Sequence, residues 1–158
     1  MLKPLFKKIL VPLDGSEHSL KALEKATQIA KKFSGSITLI HVYSVTVTPI
    51  ILPEPTLSTP GVPVLTSAEV SRVAEAARQT GNRVLDDGEE KVKAEEVPVS
   101  KILVEGHAVQ EIGRAAKEGN FDLIVIGARG ISRIRELFLG SVTDAVVHHA
   151  VCPVLVVK

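Results

Sequence analysis

The residues whose types and spacing best suit chemistry are Gly127-Ala128-Arg129-Gly130, then nine residues, then Gly140-Ser141. Glycine at 127 and 130 lets backbone amides approach a bulky anion with no Cβ in the way. Gly140-Ser141 stands where a helix begins, and the free N–H groups and dipole of a helix N-terminus favour a phosphate. Arg129, Arg133 and Arg135 add three cations to the same loop. These are the ingredients of a phosphate cradle. A plainer reading stands beside it: Gly127 can end a strand, Gly140 can be a turn residue, and Ser141 with Asp144 fits a capping box that needs no ligand. The spacing is neither the Walker pattern nor Gly-x-Gly-x-x-Gly. A second candidate is Asp14-Gly15-Ser16 after an apolar run, a carboxylate at a strand end that also suits ordinary turn and cap chemistry. Pro12 by itself means only an end to strand pairing.

Other reactive side chains form no catalytic pattern. His18, His41, His107, His148 and His149 lack metal-ligand spacing, and the last two point to different helix faces. His41, flanked by apolar residues, reads as a satisfied core histidine, and His107 as a minor ligand at most. Cys152, with no base near it in sequence, reads as a buried structural thiol. Asp86, Asp87, Glu89 and Glu90 read as a solvated helix end. There is no nucleophile elbow, paired-carboxylate motif, PP-loop-like Ser-Gly-Gly or His-x-Gly-His. The expectation is a binding protein.

The elements that must position these residues follow from hydrophobic patterning. Residues 8–13 are a short apolar run suited to a strand buried on both faces. Leu20, Leu23, Ala26, Ala30 and Phe33 recur at helical spacing, with Ser16 as N-cap and Gly35 as the stop. Ser36–Tyr43 is a second strand. Residues 45–67 show no periodicity and hold five of the nine prolines (Pro49, Pro53, Pro55, Pro60, Pro63), an irregular connection longer than usual. Val70, Val73, Ala77, Thr80 and Val84 mark the buried stripe of a long helix over 68–93. Val97–Val104 is a third strand, a helix follows to Gly119, Phe121–Ile126 is a fourth strand, Ser141–Ala150 a short helix, and Pro153–Val157 the last strand. Strands alternating with helical stripes predict an α/β fold: a five-stranded, mostly parallel sheet with helices on both faces. In such a sheet, ligands sit at the carboxyl ends of strands where the strand order reverses. With a flavodoxin-like or related order, the first and fourth strands flank that crevice, and their ends carry Asp14 and Gly127.

Composition narrows the function classes. The 158 residues suit a single domain spanning 1–158 with a sizeable core. Nineteen Lys+Arg against eighteen Asp+Glu leave a net charge of +1, which argues against nucleic-acid or anionic-membrane partners. Aromatics at 3% with no Trp argue against stacking platforms for single strands. One cysteine permits no internal disulfide and suits a reducing, cytoplasmic setting. Phe33–Pro53 lacks formal charge over 21 residues, but its prolines and β-branched residues make it strand and loop, not a membrane span.

Gly127-x2-Gly130-x9-Gly140-Ser141 resembles the nucleotide-binding motif of the universal stress protein family. Residues 8–16, 39–42, 122–127 and 152–157 resemble that family's strands, so the likeness covers essentially the whole chain outside the Pro-rich connection. The resemblance implies a Rossmann-like, adenine nucleotide alpha hydrolase-like fold and the ATP-binding branch of the family. It implies that Gly127, Gly130, Gly140 and Ser141 wrap phosphates, with Ser132, Arg133 and Val142 in the loop or on its helix. Pro12 and Asp14 would meet the adenosine, Asp14 accepting from ribose hydroxyls, and the main chain of Val42 the adenine edge. ATP (or AMP) with Mg²⁺ is the implied ligand, and a homodimer through Pro153–Val157 the implied assembly. The function so implied is a cytosolic, nucleotide-dependent stress-response switch or sensor. A slow ATP hydrolase and a nucleotide-free dimeric scaffold are the alternatives.

Overall fold

The computed structural model of the chain describes residues 5–45, 66–131 and 138–158. Five strands, β1 (Lys8–Pro12), β2 (Ser36–Tyr43), β3 (Val99–Glu105), β4 (Leu123–Gly127) and β5 (Val154–Val157), form one sheet in the order β3-β2-β1-β4-β5. Every pairing is parallel. The helices are α1 (Glu17–Phe33), α2 (Ser67–Ala94), α3 (Ala108–Glu118) and α4 (Ser141–His149). The continuous apolar runs of β1 and β4 arise because both faces are covered and side chains alternate across the sheet. Ile9, Val11, Leu123 and Val125 pack with Ala22, Leu23, Leu85 and Val92 of α1 and α2. Leu10, Ile124 and Ile126 pack on the other face with Ile112 and Ala116 of α3 and Val146 of α4.

The strand order decides where a site can lie. A flavodoxin-like order would place β3 beside β1; here β4 takes that place, and the chain reverses its direction of travel between β1 and β4. The amino end of β1 is tied down by Asp122, which accepts the Lys7 N–H at 2.8 Å. The Lys7 ammonium donates to Phe33 O at the end of α1 at 2.6 Å, and that of Lys8 to Gly119 O at the end of α3. Adjacent lysines thus cap helices on opposite faces of the sheet, where partial negative charge gathers.

Several local expectations change. The left-handed residue that closes α1 is Ser34 (φ 51°), not Gly35. Gly35 is instead kept small because a Cβ there would run into Phe6 O. Most of the stripe expected on α2 is not buried: Val73 is 54% exposed and Thr80 is exposed, whereas Gly81, Leu85, Gly88 and Val92 are buried. A Cβ at Gly81 would lie 2.6 Å from His41 Cδ2, and one at Gly88 2.7 Å from Leu13 Cδ1. α2 therefore approaches the sheet on glycines, which a count of large apolar residues passes over. Its start is Thr66, whose hydroxyl accepts the Glu69 N–H while the Glu69 carboxylate accepts the Thr66 N–H, a reciprocal capping box. Most of the Pro-rich connection lies outside the described residues.

Candidate functional site

Two strand ends build the site. Past Pro12, which has no N–H to give, the Leu13 N–H donates to Ile40 O at 2.9 Å and keeps the chain beside β2. Asp14 then turns the chain: its Oδ1 accepts the Ser16 N–H at 2.9 Å, and Gly15 takes φ +82°, a conformation glycine adopts freely. Ser16 caps α1 as its sequence suggests, its hydroxyl accepting the Ser19 N–H at 3.2 Å. The other carboxylate oxygen of Asp14 faces Gly130, where an added Cβ would come within 2.5 Å of it.

On the β4 side, Gly127 is small for a reason internal to the fold. A Cβ there would lie 2.6 Å from the carbonyl carbon of His18, so the glycine lets the first turn of α1 lie on the strand end. β4 ends at Gly127, as the plainer reading has it, and this packing supplies the reason for a glycine there. Gly140 is different: a Cβ would meet Arg129 Cα at 3.4 Å and other atoms farther off, and its φ of −62° asks nothing of glycine. Its smallness is unexplained by packing among the described residues, which leave the start of α4 open. The loop ends are stitched together by Gly140 N–H to Ala128 O at 2.8 Å, Ala128 N–H to Val157 O at 2.7 Å, and Thr143 Oγ1 to Gly127 O at 2.7 Å.

The expected Ser141–Asp144 capping box does not form. Gly140 is the N-cap, Ser141 is the first helical residue, and among the described residues no side chain caps the helix. The first turn of α4 thus presents N–H groups that no intrahelical carbonyl takes, with an exposed Ser141 hydroxyl among them.

Pro12, Asp14, Val42, Gly127, Gly130, Gly140, Ser141 and Val142 all line one cleft above the carboxyl ends of β1 and β4. Ser132 and Arg133 lie outside the described residues. Sequence reasoning missed the apolar wall from α3, Ala108 and Ile112, and the buried Thr143 that ties α4 to β4. A helix starting right after a strand's carboxyl end was the available signal for the first, and a threonine two positions beyond the helix start for the second. Arg129 also lines the cleft. The lining therefore mixes apolar side chains (Val42, Ala108, Ile112) with the Asp14 carboxylate, the Ser141 hydroxyl and glycine backbone.

The remaining reactive groups lie elsewhere. His107 is the exposed, side-chain-silent N-cap of α3. His41 is satisfied, its Nδ1 lying 2.7 Å from Leu13 O, although it is half-buried, not fully enclosed. Cys152 is likewise half-buried; desolvation, then the Asp122 charge, pushes its thiol up, which keeps it protonated and weakly nucleophilic. Asp86 and Glu89 are not merely solvated: both accept from Lys101 of β3, at 2.6 and 2.9 Å. Among the described residues no group of three His, Cys, Asp or Glu side chains could hold a metal ion.

A family model described as the universal stress protein family matches residues 5–158. The chain belongs to that family. Universal stress protein YxiE of Bacillus subtilis is 33% identical over 154 residues, covering 98% of this chain and 100% of that protein. The fold matches that of the universal stress protein UspA from Lactobacillus plantarum with a TM-score of 0.79, covering 99% of this chain and 100% of the other at 24% identity. A universal stress protein solved in complex with cAMP matches with a TM-score of 0.68 at 25% identity, covering 96% and 97% of the two chains. Among the described residues of this family member no helix is long and apolar enough to cross a membrane.

Proposed function

We propose that the cleft between β1 and β4 binds an adenine nucleotide, ATP with Mg²⁺ or AMP, and that the chain is a single universal stress protein domain acting as a cytosolic nucleotide-dependent switch or sensor. One observation carries the reading: eight residues scattered from position 12 to position 142 converge on one cleft at the topological switch point, whose lining mixes apolar and polar groups. The cAMP complex of a structural neighbour supports the class of ligand.

The roles divide by chemistry. Val42, Ala108 and Ile112 offer a planar base an apolar wall, with the Val42 main chain available to its edge. Asp14 accepts hydrogen bonds from sugar hydroxyls. Gly130 and the first turn of α4 offer N–H groups to phosphate oxygens, and the missing Cβ at Gly140, whose own N–H is held by Ala128 O, keeps their approach open. A divalent cation would come bound to the phosphates, since no ready-made protein ligand set exists among the described residues; it would neutralise phosphate charge. Ser132 and Arg133 belong to the same phosphate loop in this reading. β5 is an edge of the sheet, with Leu155 38% exposed and Val151 beside it 65% exposed. Pairing of two such edges would give the homodimer.

The test uses protein purified without added nucleotide. It is denatured, any released nucleotide is identified by chromatography, and the stripped protein is titrated with MgATP and with AMP by calorimetry. Retained or tightly bound nucleotide supports the reading, and a turnover assay then separates a switch from a slow hydrolase. Clean protein giving no heat with either ligand overturns it and leaves a scaffold.

A further inference from the structure

His41 links the site to a helix that the nucleotide reading leaves out. Its Nδ1 lies 2.7 Å from Leu13 O. A carbonyl only accepts, so Nδ1 carries the proton and donates. With the Leu13 N–H already given to Ile40 O, both main-chain polar groups of Leu13 are held by consecutive residues of β2. Leu13 is the residue before Asp14. A parallel ladder carried one step beyond the Pro12–Ile40 pair would give the Leu13 carbonyl to the Val42 N–H. The imidazole takes that carbonyl instead, and Val42 lines the cleft.

The ring's opposite side rests on α2. An added Cβ at Gly81 would sit 2.6 Å from His41 Cδ2 and 3.2 Å from Nε2, so only a glycine lets the helix backbone come this close. The imidazole is thus wedged between α2 and the turn that presents the Asp14 carboxylate.

We propose that His41 is a positioning residue: its Nδ1–H holds the Leu13–Asp14 turn in its ligand-ready form, leaves the Val42 main chain to the ligand, and couples both to the position of α2. The ligand readout rests on the nucleotide reading above; the claim about the turn does not. α2 begins directly after the Pro-rich connection, so a displacement of α2 would reach the carboxylate through a single ring.

The experiment compares His41→Leu, which keeps apolar bulk near Gly81 but has no donor, with His41→Asn, whose amide N–H can reach the same carbonyl. Stripped full-length protein is titrated with MgATP and with AMP, and amide exchange is followed by NMR on the ligand-free protein. His41→Leu is expected to weaken nucleotide affinity about tenfold, as for one lost positioning hydrogen bond, and His41→Asn to stay within about threefold of the parent. In an Asp14→Asn background, His41→Leu is expected to cost less than about twofold, because coupled sites are not additive. Without ligand, His41→Leu should speed exchange at the Leu13 and Ser16 amides while Ile9 and Leu10 keep their rates, which separates local release from global unfolding.

Unchanged exchange at Leu13 and Ser16 overturns the positioning role, whether or not nucleotide binds. Full affinity in His41→Leu, or an equal loss with and without the Asp14 carboxylate, overturns its consequence for the ligand. If the parent protein binds neither nucleotide, the nucleotide reading falls by itself and the exchange result alone decides the role of His41.

Discussion

The carboxylate of Asp14 fills the space that a side chain on Gly130 would need; a methyl group there would come within 2.5 Å of Asp14 Oδ2. These residues are 116 positions apart in the chain, and they meet because β1 and β4 are neighbours at the switch point. Each bounds the same cleft, so the space one occupies is space the other must leave.

Replacing Gly130 with valine is therefore expected to abolish nucleotide binding while the fold survives. Gly130 is exposed and lies outside every strand and helix, so the loss should be confined to the cleft. Calorimetry with MgATP should show at least about a hundredfold weaker binding, since a displaced carboxylate and a blocked loop each cost a charge-assisted contact, with the thermal midpoint close to that of the parent. Normal binding by Gly130→Val would show that the cradle is misassigned.

Gly127 and Gly140 should separate cleanly. Gly127→Ala pushes a methyl into the His18 backbone, which cannot swing aside as a side chain can, and overpacking of this kind costs about 1–3 kcal/mol. Gly140→Ser has room for its Cβ and supplies the cap hydroxyl that α4 lacks, so stability should stay level or rise by about a few tenths of a kcal/mol. Nucleotide affinity should nevertheless fall in Gly140→Ser, because the new hydroxyl takes N–H groups offered to phosphate. Urea denaturation beside calorimetry reads both effects.

Gly113 lies inside α3 with nothing among the described residues within 4 Å of where its Cβ would be. Gly113→Ala is expected to stabilise the protein by about 0.5–1 kcal/mol by reducing the freedom of the unfolded chain. A fall in urea midpoint would mean that a methyl group on this face of α3 meets another part of the folded protein.

The cluster of Lys101, Asp86 and Glu89 should appear as an acid dependence of stability. Hydrogen bonds from Lys101, then Lys93, hold the Glu89 carboxyl below its ordinary value of 4.5. A group depressed by folding stabilises the folded state above its unfolded pKa, and that stabilisation is lost as pH falls through the lower, folded value. Lys101→Met removes the first of these partners, so its stability should vary less than the parent's as pH is lowered below 4.5. Because the pair lies at the surface, the difference should also shrink in high salt. Thermal midpoints taken across that pH range check it.

Much of this architecture is legible in one dimension. β1 and β4 could be read because strands covered on both faces become unbroken apolar runs, and α1 because Ser16 and its helical stripe agree. The face of α2 was harder. Its first turns carry valines away from the core, while its closest approach to the sheet is made at Gly81 and Gly88, residues with no hydropathy to count, on either side of the buried Leu85. The Ser141–Asp144 pattern suggested a capping box, but Gly140 occupies the cap and leaves Ser141 one position too late to serve it.

The sequence alone determined the family, by its likeness over residues 5–158, and the alternation of strands and helices and the residue types at two strand ends, because these last depend on local spacing and periodicity. The tertiary structure decided which ends meet. Only the order β3-β2-β1-β4-β5 brings Asp14 to Gly130, sets the His18 backbone against Gly127, and seats His41 between Leu13 and Gly81. Those contacts join residues from 28 to more than 100 positions apart, and local spacing carries no record of the lateral neighbour a parallel strand will choose.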